Sequence, residues 1–168
     1  KLHRAIKHAS EYGFSEFNLN VGCPSDRVQS GRFGACLMAE PEIVQDCVSA
    51  MREATDKPVT VKCRIGIDDM DVDSGLDNFI DKIAASGVSI FYIHARKAWL
   101  KGLSPKENRN IPPLDYERVA KLAKTRTELT IILNGGLVDR DEIIRKQNEF
   151  EGVMLGRAAY KTPFILAE

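Results

Sequence analysis

Apolar and polar residues alternate in five short stretches of the chain, and apolar residues recur at helical spacing between these stretches. In the first stretch, Phe17, Leu19 and Val21 alternate with Asn18 and Asn20, which is the two-residue period of a β-strand. The predicted strands are residues 17–21, 59–64, 88–96, 129–133 and 152–155. The predicted helices are residues 2–9, about 41–51, 76–84, about 115–123 and 142–147. This order predicts an α/β fold with parallel strands and right-handed crossovers.

The composition is that of one globular domain without net charge. The 168 residues are 43% hydrophobic, and 24 Lys and Arg balance 24 Asp and Glu. We therefore expect no general attraction to polyanions, so any contact with nucleic acid must be local. No apolar run approaches the roughly 20 residues of a membrane span, and no signal peptide opens the chain. These features predict a cytoplasmic protein that does not bind membranes.

The cysteines and the acidic residues do not form a recognisable metal site. The four cysteines lack CxxC spacing and lack metal-type spacing to histidine, which argues against zinc and favours free thiols in a reducing cytosol. They are Cys23, Cys36, Cys47 and Cys63, and helical spacing predicts that Cys47 lies in the core. The acidic stretch 68–77 does not match an EF-hand, and we interpret it as a solvated loop. We expect no bound metal.

The first strand pattern stops abruptly at Gly22-Cys23-Pro24. Glycine and proline force a turn at this point, and the turn lifts Cys23 out of the strand end. A thiol displayed in this way is a candidate general acid or nucleophile. Because free cysteine also behaves as a small hydrophobic residue, a buried core thiol is the alternative interpretation.

Cationic and polar side chains lie on the next two strands. Lys62 and Arg64 face away from Cys63, and the following strand ends in His94 and Arg96. In a barrel of parallel strands the face that carries Lys62 is the interior, so this cation would line a pocket. Ligands bind at the carboxyl ends of parallel strands, and we therefore predict that His94 contacts a ligand. A solvated strand face and a structural histidine are the alternatives.

A long connection, residues 97–113, follows the third strand. It carries Trp99, the only tryptophan, and four cations: Lys97, Lys101, Lys106 and Arg109. Cationic and aromatic side chains together are typical of surfaces that bind phosphate-rich ligands. An ordinary surface loop is the alternative, because composition does not distinguish the two.

Glycine turns follow the last two strands. Asn134-Gly135-Gly136 follows the fourth strand, and Gly156-Arg157 follows the fifth. The last two strands of an eight-stranded barrel bind a phosphate with turns of this kind. Two architectures fit the pattern: a complete five-stranded doubly wound sheet, or about the last five β/α units of a (β/α)8 TIM barrel of about 250 residues. The paired turns and a start within a helix favour the partial TIM barrel.

Several motifs in register resemble the tRNA-dihydrouridine synthase family over nearly the whole chain. They are Asn18-Leu-Asn-Val-Gly-Cys-Pro24, Val61-Lys-Cys-Arg64, Ile93-His-Ala-Arg96, Asn134-Gly-Gly136 and Gly156-Arg157. Residues 94–109, followed by Ile111-Pro-Pro-Leu-Asp-Tyr116, are similar to the DusA branch, whose members reduce uridines 20 and 20a of the tRNA D-loop. The resemblance implies a TIM-barrel enzyme that uses FMN, with NADPH as reductant, to convert uridine in tRNA to 5,6-dihydrouridine.

The resemblance also implies roles for individual residues. Cys23 would be the general acid that protonates C5 of uracil when hydride reaches C6, whereas Lys62 and His94 would contact the flavin. The residues that would hold the FMN phosphate are Asn134, Gly135, Gly136, Gly156 and Arg157. The residues that would meet tRNA are Asn20, Lys106 and Arg109.

The resemblance implies that the first three barrel strands and the C-terminal helical domain of this family fall outside residues 1–168. We therefore expect residues 1–168 to form part of an FMN-binding barrel domain whose first and last strands have unpaired edges. Such a part would bind FMN weakly or not at all, show little activity by itself, and associate with itself through the exposed edges.

Two other functions are consistent with the motifs. One is a flavoprotein that acts on a free pyrimidine, similar to dihydroorotate or dihydropyrimidine dehydrogenases. The other is a half-barrel that binds RNA without catalysis. The sequence also leaves open which uridine is modified, and whether Cys36 takes part in catalysis or only packs.

Overall fold

Five parallel strands form one sheet, in which each strand pairs with the next strand along the chain. The computed structural model describes residues 1–167. The strands are β1 (Phe17–Val21), β2 (Val59–Arg64), β3 (Ile90–His94), β4 (Thr130–Asn134) and β5 (Gly152–Met154). A doubly wound sheet contains a reversal of strand order, and this sheet contains none among the described residues, so the doubly wound alternative is wrong.

Seven α-helices lie among the described residues. They are α1 (Leu2–Ala9), α2 (Asp26–Ser30), α3 (Pro41–Arg52), α4 (Val72–Ala84), α5 (Tyr116–Thr125), α6 (Arg140–Gln147) and α7 (Arg157–Lys161). Short 3-10 segments lie at Ser10–Tyr12, Gly34–Ala39, Glu107–Arg109 and Pro163–Leu166. None of the helices in residues 1–167 is long and apolar enough to cross a membrane.

Aspartate side chains fix where three of the helices begin. The carboxylate of Asp71 accepts the backbone N–H of Ser74 at 2.7 Å at the start of α4. Asp115 caps α5 and Asp139 caps α6 with the same type of hydrogen bond. An aspartate cap satisfies a backbone donor that the first helical turn leaves free. The acidic stretch 68–77 is therefore partly helical, and its interpretation as a loop is wrong beyond Asp71.

Other boundaries differ from the sequence prediction by a few residues. Strand β3 is shorter than the predicted 88–96, and β4 includes Asn134. The short helices α2 and α7 were not predicted, because five residues are too few to establish a helical period. Cys47 is half-buried, whereas the prediction placed it in the core; Cys63 is buried instead, and burial raises the pKa of its thiol to about 12.

The two faces of the sheet have opposite character. Strand residues Val21, Val61 and Phe91 lie on one face and join buried helix residues such as Val48 and Phe79 in a single core. The other face is mostly polar, although it also carries Ile90 and Ile132. Its residues include Asn18, Asn20, Thr60, Lys62, Tyr92 and His94. The helices therefore cover the apolar face. The polar side chains nearest the carboxyl ends of the strands, such as Lys62 and His94, lie on the other face.

Helices α4 and α5 are joined by a buried arginine. The side chain of Arg118 is 4% exposed and forms ion pairs with Asp77 and, at 3.2 Å, with Asp73. Its guanidinium also donates to the backbone carbonyls of Val72 and Asp73, each at 2.9 Å. Because a buried cation without partners is strongly destabilising, this cluster fixes how the two helices pack.

We expect Arg118→Ala to lower the free energy of unfolding by about 2–3 kcal/mol, because it leaves the carboxylate of Asp77 and two carbonyls without their donor. Lys121→Ala is the matched control, since Lys121 pairs with Asp73 at the surface and its loss should change stability by about 0.5 kcal/mol or less. Urea unfolding followed by circular dichroism measures both. Equal effects of the two substitutions would show that the buried contacts of Arg118 contribute no more to stability than a surface ion pair does.

Candidate active site

A cavity of about 360 Å³ opens at the carboxyl ends of the strands. Ten of the eleven predicted site residues line it: Asn20, Cys23, Lys62, His94, Arg109, Asn134, Gly135, Gly136, Gly156 and Arg157. Lys106 does not line it, and its side chain is exposed on the turn before Arg109. The sheet register explains much of this convergence, because His94 pairs with Arg64 on one side and with Asn134 on the other.

The cavity concentrates positive charge in a chain whose net charge is zero. Lys62, Arg64, Arg109 and Arg157 line it, and no Asp or Glu is among its described lining residues. Cations gathered in a concave site without carboxylates create a strong local positive potential. The cavity is therefore suited to an anionic ligand.

His94 is a neutral imidazole within this cationic surface. Burial and, next, the charges of Arg64 and Lys62 lower its pKa to about 3. Burial, together with the nearby Arg64, also lowers the pKa of the Lys62 ammonium. Both lowered pKa values reflect an environment that disfavours additional positive charge. A bound anion would raise the two pKa values again.

The glycine turn after β4 packs directly against His94. Gly135 and Gly136 have φ angles of +112° and +72°, which side chains rarely adopt. A Cβ atom on Gly135 would lie 2.4 Å from Cδ2 of His94, so a larger residue would displace the imidazole. The hydroxyl of Tyr116 donates to the carbonyl of Gly135 at 2.6 Å. The side-chain amide of Asn134 donates to the carbonyl of Met154 at 2.8 Å and ties this turn to the end of β5.

Cys23 lies on a turn that contacts the start of the segment Gly34–Ala39. Its side chain is half-buried and lines the cavity, so it is not a core thiol. Its Sγ lies 3.5 Å from Oγ of Ser25, and its carbonyl accepts the N–H of Ala35 at 2.8 Å. A Cβ on Gly34 would lie 2.6 Å from that carbonyl, which explains the glycine at this position. The side chain of Asn20 accepts the N–H of Gly22 at 3.0 Å and shapes the start of the turn.

The connection 97–113 is ordered by a buried asparagine that the sequence analysis missed. Asn108 is fully buried, and its amide donates to the carbonyls of Trp99 at 2.9 Å and Leu103 at 3.1 Å. Its side-chain oxygen accepts the N–H of Trp99 at 2.8 Å. An asparagine in a polar loop has no periodic neighbours, so no sequence pattern identifies it as buried. These hydrogen bonds give the loop a defined conformation, although Trp99 itself is 38% exposed.

Three further contacts attach this connection to the strand ends. Gln29 donates to the carbonyls of Pro24 at 2.9 Å and Leu100 at 2.8 Å, which joins the loop after Cys23 to the connection. Arg157 donates to the side-chain oxygen of Asn110 at 3.1 Å. The guanidinium of Arg96 donates to the carbonyl of Pro112. Arg109 is thereby held at the mouth of the cavity.

The described residues offer no candidate metal centre. Among residues 1–167 there is no group of three or more His, Cys, Asp or Glu side chains placed to hold a metal ion. The four cysteines are free thiols. The chemistry of the cavity is that of a thiol, an imidazole and several cations.

A family model described as Dihydrouridine synthase (Dus) matches residues 1–168. The chain is 56% identical over 168 residues to a protein of Shewanella oneidensis, a match that covers 100% of this chain and 50% of that protein. It is 58% identical over 167 residues to a protein of Vibrio vulnificus, covering 99% of this chain and 51% of that protein. Both relatives are named tRNA-dihydrouridine(20/20a) synthase. The chain spans about half the length of these curated relatives.

One solved structure supports the fold. A putative phosphonomutase from Burkholderia cenocepacia J2315 matches with a TM-score of 0.59 at 13% identity, covering 90% of this chain and 64% of that chain. At this level of identity the likeness concerns the arrangement of strands and helices and not the chemistry.

We expect the imidazole of His94 to remain neutral between about pH 8 and about pH 5, because burial and cations disfavour its protonation. An unfolded histidine binds a proton below a pKa of about 6.5, so stability should fall as the pH drops from there toward the folded pKa of about 3. The slope from this group is at most about 1.4 kcal/mol per pH unit.

NMR titration of the ring protons and urea unfolding at several pH values measure the two effects. His94→Gln is the control, and it should remove this part of the pH dependence of stability. A ring that titrates near pH 6.5 would contradict the assignment.

Proposed function

Because the chain belongs to the dihydrouridine synthase family, we propose that it carries catalytic machinery for the reduction of uridine in tRNA to 5,6-dihydrouridine. The observation that carries this proposal is the shared cavity, in which the thiol of Cys23 lies together with the two glycine turns that end β4 and β5. The thiol supplies acid chemistry and the turns supply a place for a phosphate. A site with only one of these would not support the reaction.

Cys23 is the proposed general acid. Reduction of the 5,6 double bond adds a hydride at C6 and a proton at C5, and a free thiol near C5 delivers that proton from its S–H bond. The thiolate that remains then takes a proton from solvent, so the residue is regenerated. General acid catalysis by a positioned side chain contributes about 10²–10⁴-fold in rate. The half-burial of Cys23 on a braced turn supports this role.

The cavity residues fit FMN. Four cations without an opposing carboxylate complement a phosphate, and a Cβ on Gly156 would meet no atom within 4 Å, so backbone is open to the cavity there. The residues that would hold the phosphate are Asn134, Gly135, Gly136, Gly156 and Arg157. Lys62 and the neutral His94 would contact the flavin ring. When bound and reduced, with NADPH as the reductant, FMN supplies the hydride.

The tRNA would approach over the connection 97–113. Arg109 and Asn20, near the end of β1, line the cavity, and Lys106 is exposed on the turn before Arg109. Cations on this hydrogen-bonded loop would contact phosphates, and such contacts orient an RNA without reading its sequence. The relatives' name specifies positions 20 and 20a, and we propose the D-loop as the target of this chain as well.

We further propose that residues 1–168 are about the last five β/α units of a (β/α)8 TIM barrel in the cytoplasm. The sequential strand order and the single helix-covered face support this arrangement. The relatives are about twice as long as this chain, which accommodates both further barrel strands and a C-terminal helical domain that binds tRNA. A cytoplasmic location agrees with the four free thiols.

Cys23→Ala should lower turnover by about 10²–10⁴-fold, because it removes the proton donor at C5. The assay uses the complete gene product that contains residues 1–168 and tRNA from cells without dihydrouridine. Mass spectrometry of the nucleosides measures the product. Cys36→Ala is the matched control: its thiol is half-buried but does not line the cavity, and turnover should stay within about threefold.

Unchanged turnover in Cys23→Ala would disprove the assignment of the acid. Reduction of free uracil or oxidation of dihydroorotate, with no reaction on tRNA, would instead identify an enzyme of free pyrimidines. RNA binding without any turnover would identify a non-catalytic RNA-binding half-barrel.

Residues 1–168 by themselves should bind FMN weakly or not at all, because β1 and β5 are sheet edges and leave the ring site open on both sides. Calorimetric titration with FMN measures the affinity, and the visible absorbance of the purified chain reports any flavin retained. Size-exclusion chromatography at several concentrations tests self-association through the edges. A preparation that is yellow as purified would contradict this expectation.

A further inference from the structure

Two loops of the candidate site are held by one buried side chain. We infer that Arg64 is a positioning residue, which fixes the turn of Cys23 and the connection 97–113 relative to each other. The inference rests on the proposed function in one respect, namely that the acid and the tRNA-facing loop must act on the same uridine. The contacts of Arg64 themselves are independent of that function.

The hydrogen bonds of Arg64 reach three backbone carbonyls on two segments. Its Nε donates to the carbonyl of Gly22 at 3.0 Å, directly before Cys23. Its Nη1 donates to the carbonyls of Lys97 at 2.9 Å and Asn108 at 2.8 Å, at the two ends of the segment that Asn108 organises. Arg64 is 2% exposed, so water does not substitute for these acceptors.

The geometry requires a guanidinium. A planar fork with several N–H donors reaches acceptors in different directions, whereas a lysine ammonium is a single point at the end of a flexible stem. Arg118, the other arginine buried among the described residues, pairs with carboxylates, whereas the hydrogen bonds of Arg64 go to backbone carbonyls. The loss of any one carbonyl acceptor would leave a buried N–H donor of a charged group without a partner, which is costly. The hydrogen bonds of Arg64 should therefore be strong.

The consequence is mechanical coupling between the thiol and the tRNA-facing loop. A movement of the connection that breaks the bonds of Lys97 and Asn108 also shifts the guanidinium that holds Gly22, and therefore the turn of Cys23. Gln29 is a second, weaker link between the same two segments, since it is a neutral amide and half-buried. We therefore assign the main share of the coupling to Arg64.

The test uses Arg64→Lys in residues 1–168, which preserves the positive charge near Cys23 and removes the fork. Two readouts are independent of turnover: amide hydrogen exchange of residues 97–109, and the rate at which iodoacetamide alkylates Cys23, followed by peptide mass spectrometry. We expect exchange in the loop to rise at least about tenfold, and alkylation at least about fivefold, because both segments lose a shared anchor.

Arg118→Lys is the matched control, because it alters a buried arginine outside the cavity. It should leave Cys23 alkylation and loop exchange within about twofold, and exchange should rise only in α4 and α5. If Arg118→Lys raises both readouts as much as Arg64→Lys does, the effect is general loosening and the inference fails. It also fails if Arg64→Lys frees only one of the two segments.

Gln29→Ala decides the question if Arg64→Lys does not fold. With Arg64 intact, both readouts should stay within about twofold of the unchanged chain, because the guanidinium still joins the segments. A large rise in both would show that Gln29, and not Arg64, is the anchor. Since no readout requires dihydrouridine formation, a failure here is distinguishable from a failure of the proposed function.

Discussion

The parallel register of the five strands is the constraint on which the candidate site depends. Each strand pairs with the next in chain order, so all five carboxyl ends lie at one edge of the sheet. Arg64 lies beside His94, and His94 lies beside Asn134. A shift of one residue in any pairing would turn these side chains toward the hydrophobic face, which would bury charge in the core. Burial of the apolar face therefore fixes the register that brings the polar side chains of the site together.

Electrostatic repulsion between cations in the cavity opposes folding. Lys62, Arg64, Arg109 and Arg157 line the cavity without a carboxylate among the described lining residues, and burial together with the charges of Arg64 and Lys62 keeps His94 neutral. An anion in the cavity would relieve the repulsion, so binding and folding should support each other. The same positive charge that disfavours the empty site favours a phosphate-bearing ligand.

Buried polar side chains give the loops around the cavity their order. Hydrophobic packing anchors these loops at some positions, such as Ala98 in the connection and Leu37 after Cys23. In addition, Arg64 and Asn108 satisfy backbone carbonyls of the connection 97–113, and Gln29 links it to the loop after Cys23. Such networks specify one conformation because any rearrangement would leave buried donors or acceptors without partners. The thiol and the cationic loop are therefore presented by a fixed frame.

The sequence pattern by itself determined most strands and helices, the parallel α/β class, and the convergence of Cys23, Lys62, His94 and the two glycine turns, whereas Asn20 and Arg109 were assigned to the site by the family resemblance. It did so because hydrophobic periodicity and turn residues are local, and parallel strands always meet at their carboxyl ends. Only the tertiary structure decided that α2 and α7 form, that Asp71 starts a helix, and that Arg64 and Asn108 brace the loops. The short helices have too few residues for a period, and hydrogen bonds of single side chains such as Asp71 and Asn108 leave no periodic signal. The contacts of Arg64 join residues 33 to 44 positions apart, which no local pattern predicts.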